Sequence, residues 1–583
     1  MISADHTKAV VLTSVIFISV LAVYYPYNHQ RLGRVSDSGL FDYPQIELNQ
    51  TADMTVVFLG IASEYIDENE FKSNIKKNAA QFASSNTITW NLNVSIIFHD
   101  FPESIMDALA SNAYQHDGNT YYNVTLLDTL LSGLESLAVP KRGYLTVFMW
   151  LPDGSVNHSW FYILERLDLF LGRTDYFNGK PFKYWAFPSY FGGIRRALYF
   201  DLSDVIERTP VKTVITNNAI RLFNNGLEDV FVNSLGATLL NSWGDSRMIE
   251  ADMQRYERYE LRILWLNGTG EQIYRERIKE AFEDLMPWTN WTITVKTRPV
   301  DAELNSFVEN RTVELPKPLT YSFSLSDGSK ITIQTRRSVM WDVWGNHSGE
   351  NDPLTQYFFE RVKDYFNLTD IHDKSVIPLV FLQLRNDTGA AGGMSAGVSW
   401  FPCNMIIICY QGAAVNTLGA IFMTQLIRHE VGHWVSLSHH SERFGLGYAK
   451  SVCSMRALTN RFCAFCKDAR RRISFISYYN ATTELLSNSS ELPSIYGNRA
   501  RVKALENELE DSLQHFNDWE YVEAVQSIVR TYHQTEDIIQ EAKNLQFVYT
   551  YILPVLIIAV AASSIIITFA WIKKRKTKVE TSK

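Results

Sequence analysis

Residues 416–442 read NTLGAIFMTQLIRHEVGHWVSLSHHSE. Leu418, Ile421, Phe422, Gln425, Leu426, His429 and His433 recur at three- and four-residue steps, which predicts one helix over about Leu418–Leu437. His429 and His433 are four apart, so their imidazoles share a face one turn apart. Both can then reach a single tetrahedral Zn2+ at about 2.0–2.1 Å. Glu430 lies one residue along, beside the metal rather than on it. A carboxylate there can take a proton from water held by the ion. A third ligand cannot come from the same straight helix. His439 would be rotated about 240° from His433, and His440, on the right face, would lie about 10 Å further along the axis. A third histidine therefore requires a sharp chain reversal between Trp434 and His439. With 13 histidines in 583 residues, H-E-x-x-H arises by chance in roughly one or two such chains per hundred.

The run from His429 to His439 resembles the metzincin signature, H-E-x-x-H-x-x-G-x-x-H. That resemblance implies a zinc metallopeptidase with a twisted sheet, an active-site helix beneath it and a cleft for an extended peptide. His429, His433 and His439 would hold the catalytic Zn2+, with a fourth position for water. Glu430 would be the general base and later hand the proton to the leaving amine. A methionine turn would follow, and Met455 fits that place. Ser436 stands where the family has glycine; a non-glycine residue at positive φ costs on the order of 1 kcal/mol. More narrowly, the segment 416–470 resembles archaemetzincins. These place a cysteine after the third histidine, then C-x-M, then C-x-x-C, and hold a second zinc. Here His440 takes the first place, Cys453 and Met455 the second, and Cys463 and Cys466 the third, with different spacings between them. The resemblance implies a second, structural zinc on His440, Cys453, Cys463 and Cys466. C-x-x-C places two thiolates on one metal edge, and Cys3His is a common closed structural set. A disulfide or free thiols are the alternatives at these cysteines. Cys403 and Cys409 flank a predicted strand, too far apart in extended chain for a disulfide, and read as buried thiols.

Upstream, the order of elements repeats. Residues 55–59 read as a buried strand, followed by a helix over 67–82 and a strand over 92–98. The same order returns at 261–266, 271–285 and 291–297. Strands at 144–151 and 198–201 in the first set correspond to 376–384 and 405–410 in the second. Helices follow at about 227–241 and 418–437. This order fits either an internal duplication of one α/β unit or two unrelated α/β domains that share a common order of elements, the second carrying an insertion over about 300–370 with a hairpin turning at Asp327–Gly328. The fold class expected is α/β: an α+β metzincin-like peptidase domain over 255–470, preceded by a non-catalytic α/β domain over 50–245. The helix at the equivalent place in the first domain carries no H-E-x-x-H. Residues 471–546 read as a helical stalk, with Val502, Leu505, Leu509 and Leu513 as an apolar stripe.

The ends place the chain at a membrane. Residues 547–572 are uncharged and long enough to cross about 30 Å of hydrocarbon. Lys573, Lys574, Arg575, Lys576 and Lys578 follow, which predicts a cytoplasmic tail over 573–583 and an outer face for what precedes. Residues 9–25 are a second apolar segment, so 1–29 is a signal anchor or a signal peptide. Twelve N-x-S/T sequons, from Asn49 to Asn488, all lie between the two apolar segments, against roughly five expected from composition, as in an exported glycoprotein.

Length, composition and charge agree with this. A chain of 583 residues exceeds one ordinary core. Its 46% hydrophobic and 13% aromatic content excludes a mainly disordered protein. Five cysteines exclude a disulfide scaffold, and a net charge of −8 gives no basic field for nucleic acid. The expected partners are a peptide or protein substrate and the membrane. Two other functions fit the residues: a zinc peptidase with a downstream glutamate such as Glu442 as third ligand, and a glycosylated surface receptor or adhesin with a structural metal.

Overall fold

The computed structural model describes residues 48–580 except 84–87, 117, 153–157, 162–187, 190–194, 234–254, 269–272, 325–329, 340–364, 367–374, 391–394, 401–404, 411, 436, 438–452, 456–460 and 490–498. The apolar segment 9–25, the turn at Asp327–Gly328, Cys403 and Glu442 lie outside the described residues.

The first half runs β1 (Leu48–Leu59), α1 (Glu68–Ala83), β2 (Ile88–His99), α2 (Glu103–Ser111), β3 (Tyr114–His116), β4 (Asn119–Asn123), α3 (Val124–Ser132), β5 (Gly143–Met149), β6 (His158–Phe161), β7 (Pro188–Ser189), β8 (Ala197–Asp201), α4 (Ser203–Arg208) and α5 (Lys212–Asn233). The second runs β9 (Arg258–Leu266), α6 (Arg275–Leu285), β10 (Asn290–Arg298), α7 (Ala302–Asn310), β11 (Thr312–Ser324), β12 (Lys330–Val339), β13 (Val376–Gln383), β14 (Thr388–Ala390), β15 (Ser395–Trp400), β16 (Met405–Tyr410) and α8 (Gly412–Trp434). Four helices close the chain: α9 (Ala464–Ser489), α10 (Arg499–Asn517), α11 (Tyr521–Phe547) and α12 (Leu553–Glu580).

The two halves have one topology. Their large sheets are ordered β2-β1-β5-β8-β7 and β10-β9-β13-β16-β15. In each, the first four strands are parallel and the last is antiparallel. Each half adds a small sheet with one antiparallel and one parallel pairing, β3-β4-β6 and β11-β12-β14. The four strands expected in each half take the same order in the two large sheets, whereas the antiparallel strands β7 and β15 were not expected, and the stretch read as an insertion, whose hairpin pairs Ser324 with Lys330, has a shorter counterpart in the first half at β3 and β4. The register of β11 shifts between Glu314 and Leu319; Pro316 and Pro318 lie there and have no N–H to give to the ladder.

The pattern of burial follows from covering each sheet on both faces. Strands β5, β8 and β16 are buried along their whole length, as parallel strands between helices must be, and they read as continuous apolar runs. On one face of the first sheet, Val57, Leu59, Leu145 and Val147 pack with Leu109 of α2 and Leu127 and Leu131 of α3. On the other, Phe58, Phe148 and Phe200 stack on one another at 5.1–5.2 Å, and Phe71 of α1 and Phe223 of α5 pack edge-on. Each such ring contributes about 1.5–3 kcal/mol by burial. The second sheet repeats this, with Leu304 of α7 on the face of Leu264, Val380 and Ile407.

Several boundaries differ from expectation, among them the start of β1 at Leu48 rather than residue 55. Helix α5 starts at Lys212, about fifteen residues earlier than its apolar pattern indicated. Helix α8 bends at Gly419, at φ 69°, and ends at Trp434 rather than Leu437. The expected stalk is helical but does not stand apart. Trp519 Nε1 donates to Thr51 O at 3.0 Å, Gln50 Nε2 to Phe516 O at 2.8 Å, and Tyr478 Oη to Arg255 O at 2.6 Å. The helices after the second sheet therefore pack on both halves. From Tyr521 to Thr577 the chain is one continuous helix of 57 residues, long and apolar enough to cross a membrane. A π turn at Val548–Ile552 joins α11 to α12, just ahead of Pro554, which has no N–H for the carbonyl of Thr550.

Candidate metal centre

Helix α8 leaves the C-terminal end of β16, the strand paired with β13 at the middle of the second sheet. Thr424 ties it to α6, its Oγ1 accepting from Tyr274 N at 3.0 Å. On the last turns, His429 and His433 stand with ring planes at 90° and centres 4.9 Å apart. One tetrahedral metal at about 2.0–2.1 Å from a nitrogen of each ring needs ring centres about 5 Å apart, so the pair fits zinc.

Both rings are oriented by backbone carbonyls. His429 Nδ1 lies 2.6 Å from Ser454 O and His433 Nδ1 lies 2.8 Å from Leu437 O. A carbonyl only accepts, so each Nδ1 carries the proton and each Nε2 the lone pair that binds a metal. Leu437 reaches back because the helix stops: Leu437 N donates to Gly432 O at 3.0 Å, the six-to-one bond that closes a helix C-terminus and turns the chain. The reversal demanded by a third histidine begins at this bond. Ser436, His439 and His440 lie outside the described residues.

Met455 lies against the same helix. A Cβ on Gly432 would sit 2.4 Å from Met455 Sδ and 3.3 Å from Phe462 Cε1. The glycine inside H-E-V-G-H is therefore the place where the turn that carries Met455 meets α8. Sequence reasoning passed over it, although a glycine inside a helix costs about 1 kcal/mol against alanine and so marks a close approach. Glu430 is buried, and burial pushes its carboxyl up to about 8. Burial, with His429 beside it, pushes His433 down to about 3, which keeps the imidazole neutral and able to ligate.

Next to this pair, Cys453, Cys463 and Cys466 are buried with their Sγ atoms within 4.8 Å of one another. Zinc at about 2.3 Å from each of two sulfurs, at a tetrahedral angle, sets them about 3.8 Å apart; Cys453 and Cys466 are at 3.6 Å. That distance is far beyond a covalent bond, and none of the three is in a disulfide. Cys453 Sγ also accepts from Cys463 N at 3.3 Å and Met455 N at 3.5 Å. Hydrogen bonds with Cys453 and then Cys463, and burial, hold the Cys466 thiol well above its usual range; a bound cation would reverse that. Cys409 is a buried thiol, as expected.

No protein-family model matches the chain, and no curated protein sequence matches it significantly.

Proposed function

We propose that this chain is a membrane-anchored zinc metallopeptidase of the metzincin type. His429, His433 and His439 would hold the catalytic ion, and Cys453, Cys463, Cys466 and His440 a structural one. The observation that carries the reading is the pair of perpendicular imidazoles whose Nδ1 atoms are both fixed by backbone carbonyls, with buried Glu430 between them in sequence. A structural site needs no carboxylate at that place. Zinc at such a site acts as a Lewis acid and makes water acidic enough to attack near neutral pH.

The remaining work falls to the chain itself. Glu430 takes the proton of the attacking water and returns it to the leaving amine. Its carboxyl must be ionised to do so, and a cation nearby draws it down from the raised value that burial imposes. An extended substrate has a natural seat at β15, the antiparallel edge strand of the second sheet. An edge offers unpaired N–H and C=O groups to which a peptide can add as a further strand.

Exposure of the sequons supports an outer face for the body. Among the described residues Asn49, Asn93, Asn267, Asn290, Asn310 and Asn386 are exposed, and Asn123 and Asn480 are partly so. The basic run after residue 572 would then be cytoplasmic.

The test is metal analysis of the full chain together with cleavage of a peptide library. Glu430→Ala should abolish cleavage and keep bound zinc, because Glu430 acts on water. His433→Ala should lose both. Full cleavage by Glu430→Ala would refute the mechanism.

A further inference from the structure

We propose that the N-terminal half, which carries no H-E-x-x-H, positions the histidine metal site through Arg196 and helix α9. The inference rests on the zinc reading above and adds to it a role for the first sheet.

The first turns of α9 face three ways. Cys463 and Cys466 meet Cys453. Phe465, Asp468 and Arg472, at the three- and four-residue steps of one helix stripe, meet the first half. Phe465 stacks on Tyr144 of β5 at 5.5 Å. Asp468 accepts from Arg196, one residue before β8, at 2.7 Å to Nε and 3.3 Å to Nη2. Arg472 is fully buried, lies 4.7 Å from the ring centres of Trp90 and Trp519, and donates to Tyr144 Oη at 3.3 Å. Lys467 and Arg471 meet the second half instead, at Asp284 and at the carbonyls of Asp284 and Leu285. Helix α9 is thus keyed into both halves at once, immediately after the cysteines.

From there the path to the histidines is short. Cys466 Sγ is 3.6 Å from Cys453 Sγ. The next residue, Ser454, is pinned by its N–H to Arg461 O at 2.8 Å, and its own carbonyl orients His429. Arg196 bonds Asp468 and the carbonyls of Lys141 and Trp519, none of them a metal ligand. Its ion pair fixes the rotation of α9 about its axis, and that rotation sets where Cys463 and Cys466 hold the 453–455 turn. The pair is largely buried, with the Asp468 side chain 3% exposed. Deleting Arg196 takes away the guanidinium that hydrogen-bonds the buried Asp468 carboxylate, a loss that moving the helix would relieve.

The experiment uses the full chain in detergent, stripped of metal and titrated with Co2+ alone. Cobalt gives d–d bands at both sites and sulfur-to-metal charge-transfer bands only on the thiolates, so the d–d absorption that is lost in His429→Ala reports the histidines. Arg196→Ala should weaken Co2+ binding at the histidines by about tenfold, the low end of the effect of losing an orienting contact around a metal. It should also shift the d–d band at a temperature where the variant is fully folded, and Arg196→Lys should restore both. The isosteric Asp468→Asn should act like Arg196→Ala and replaces it if that variant does not fold. A lower melting temperature with unchanged affinity and an unchanged d–d band would overturn the inference, leaving Arg196 a purely structural residue. A wild-type chain without His429-dependent cobalt absorption would overturn the zinc reading and the inference together.

Discussion

Gly432→Ala isolates the contact between α8 and the methionine turn. The new Cβ would lie 2.4 Å from Met455 Sδ, whereas unstrained heavy-atom contacts start near 3.5 Å, so Met455 must shift by about 1 Å, and because its side chain is fully buried the turn is expected to move with it. The two effects on stability oppose each other. Alanine gains about 0.8–1.0 kcal/mol over glycine in a helix interior, and overpacking costs about 1–3 kcal/mol. The net loss of about 0–2 kcal/mol decides little by itself. The effect on the site is larger. Met455 is joined to Ser454, whose carbonyl lies 2.6 Å from His429 Nδ1. Withdrawal by about 1 Å carries that distance beyond hydrogen-bonding range. Losing such an orienting partner costs about 10–100-fold in metal affinity. Competition against a chromogenic zinc chelator measures the affinity, and thermal melts measure the stability. Adding Met455→Ala to Gly432→Ala removes the obstructing sulfur and should recover stability. A Gly432→Ala chain that is more stable by about 1 kcal/mol, with unchanged zinc affinity, would show that the turn does not bear on α8 and would refute the reasoning.

Two further outcomes follow from the structure. Cys463→Ser with Cys466→Ser should lower bound zinc from two ions per chain to one, by elemental analysis; a single zinc in the wild type, with the cysteines joined in mass spectrometry, would defeat the structural site. His533 is raised to about 9 by its hydrogen bond to Glu536 and by Glu257 beside it. Its contribution is therefore complete below the unfolded value near 6.5 and is lost as pH rises through about 9. His533→Gln should melt below the wild type at pH 6 and level with it at pH 10, by differential scanning calorimetry. The gap will be small because the side chain is 49% exposed; a gap that persists at pH 10 would point to packing instead of charge.

The parallel strands of both large sheets were legible because their central members are mainly apolar runs, whereas the antiparallel edge strands β7 and β15 carry no such run and were not read. The histidine pair was legible because four-residue spacing is itself a statement about one helix face. The rest of the site is written in backbone. Ser454 and Leu437 act through their carbonyls, which every residue has, so no pattern of side chains marks them. The bend at Gly419 was missed because apolar periodicity runs straight across it, and the early start of α5 because Lys212–Asn218 carries few apolar residues. Residues 471–546 read as a stalk because an amphipathic helix does not name the surface that its apolar face will cover. Its polar keys, Asp468 to Arg196 and Arg472 to Tyr144, bridge 272 and 328 residues, separations at which no local pattern carries information.

The helix from Tyr521 to Thr577 also governs reach. It is buried against the body as far as Ala542, and by Leu545 its large apolar side chains are already exposed. Three residues of helix are about 5 Å, so no slack separates the folded body from the apolar rod. A protein on a flexible leash samples a wide hemisphere above the lipid and dilutes its own site within it. This one, seated in a bilayer, would be held like a lamp on a short bracket, close to the surface and at a set tilt. On the function proposed above, substrate segments near the lipid would meet its site more often than those standing high above it. Inserting a flexible loop between Ala542 and Leu545 would therefore change which chains are met while leaving the chemistry of each encounter as it was.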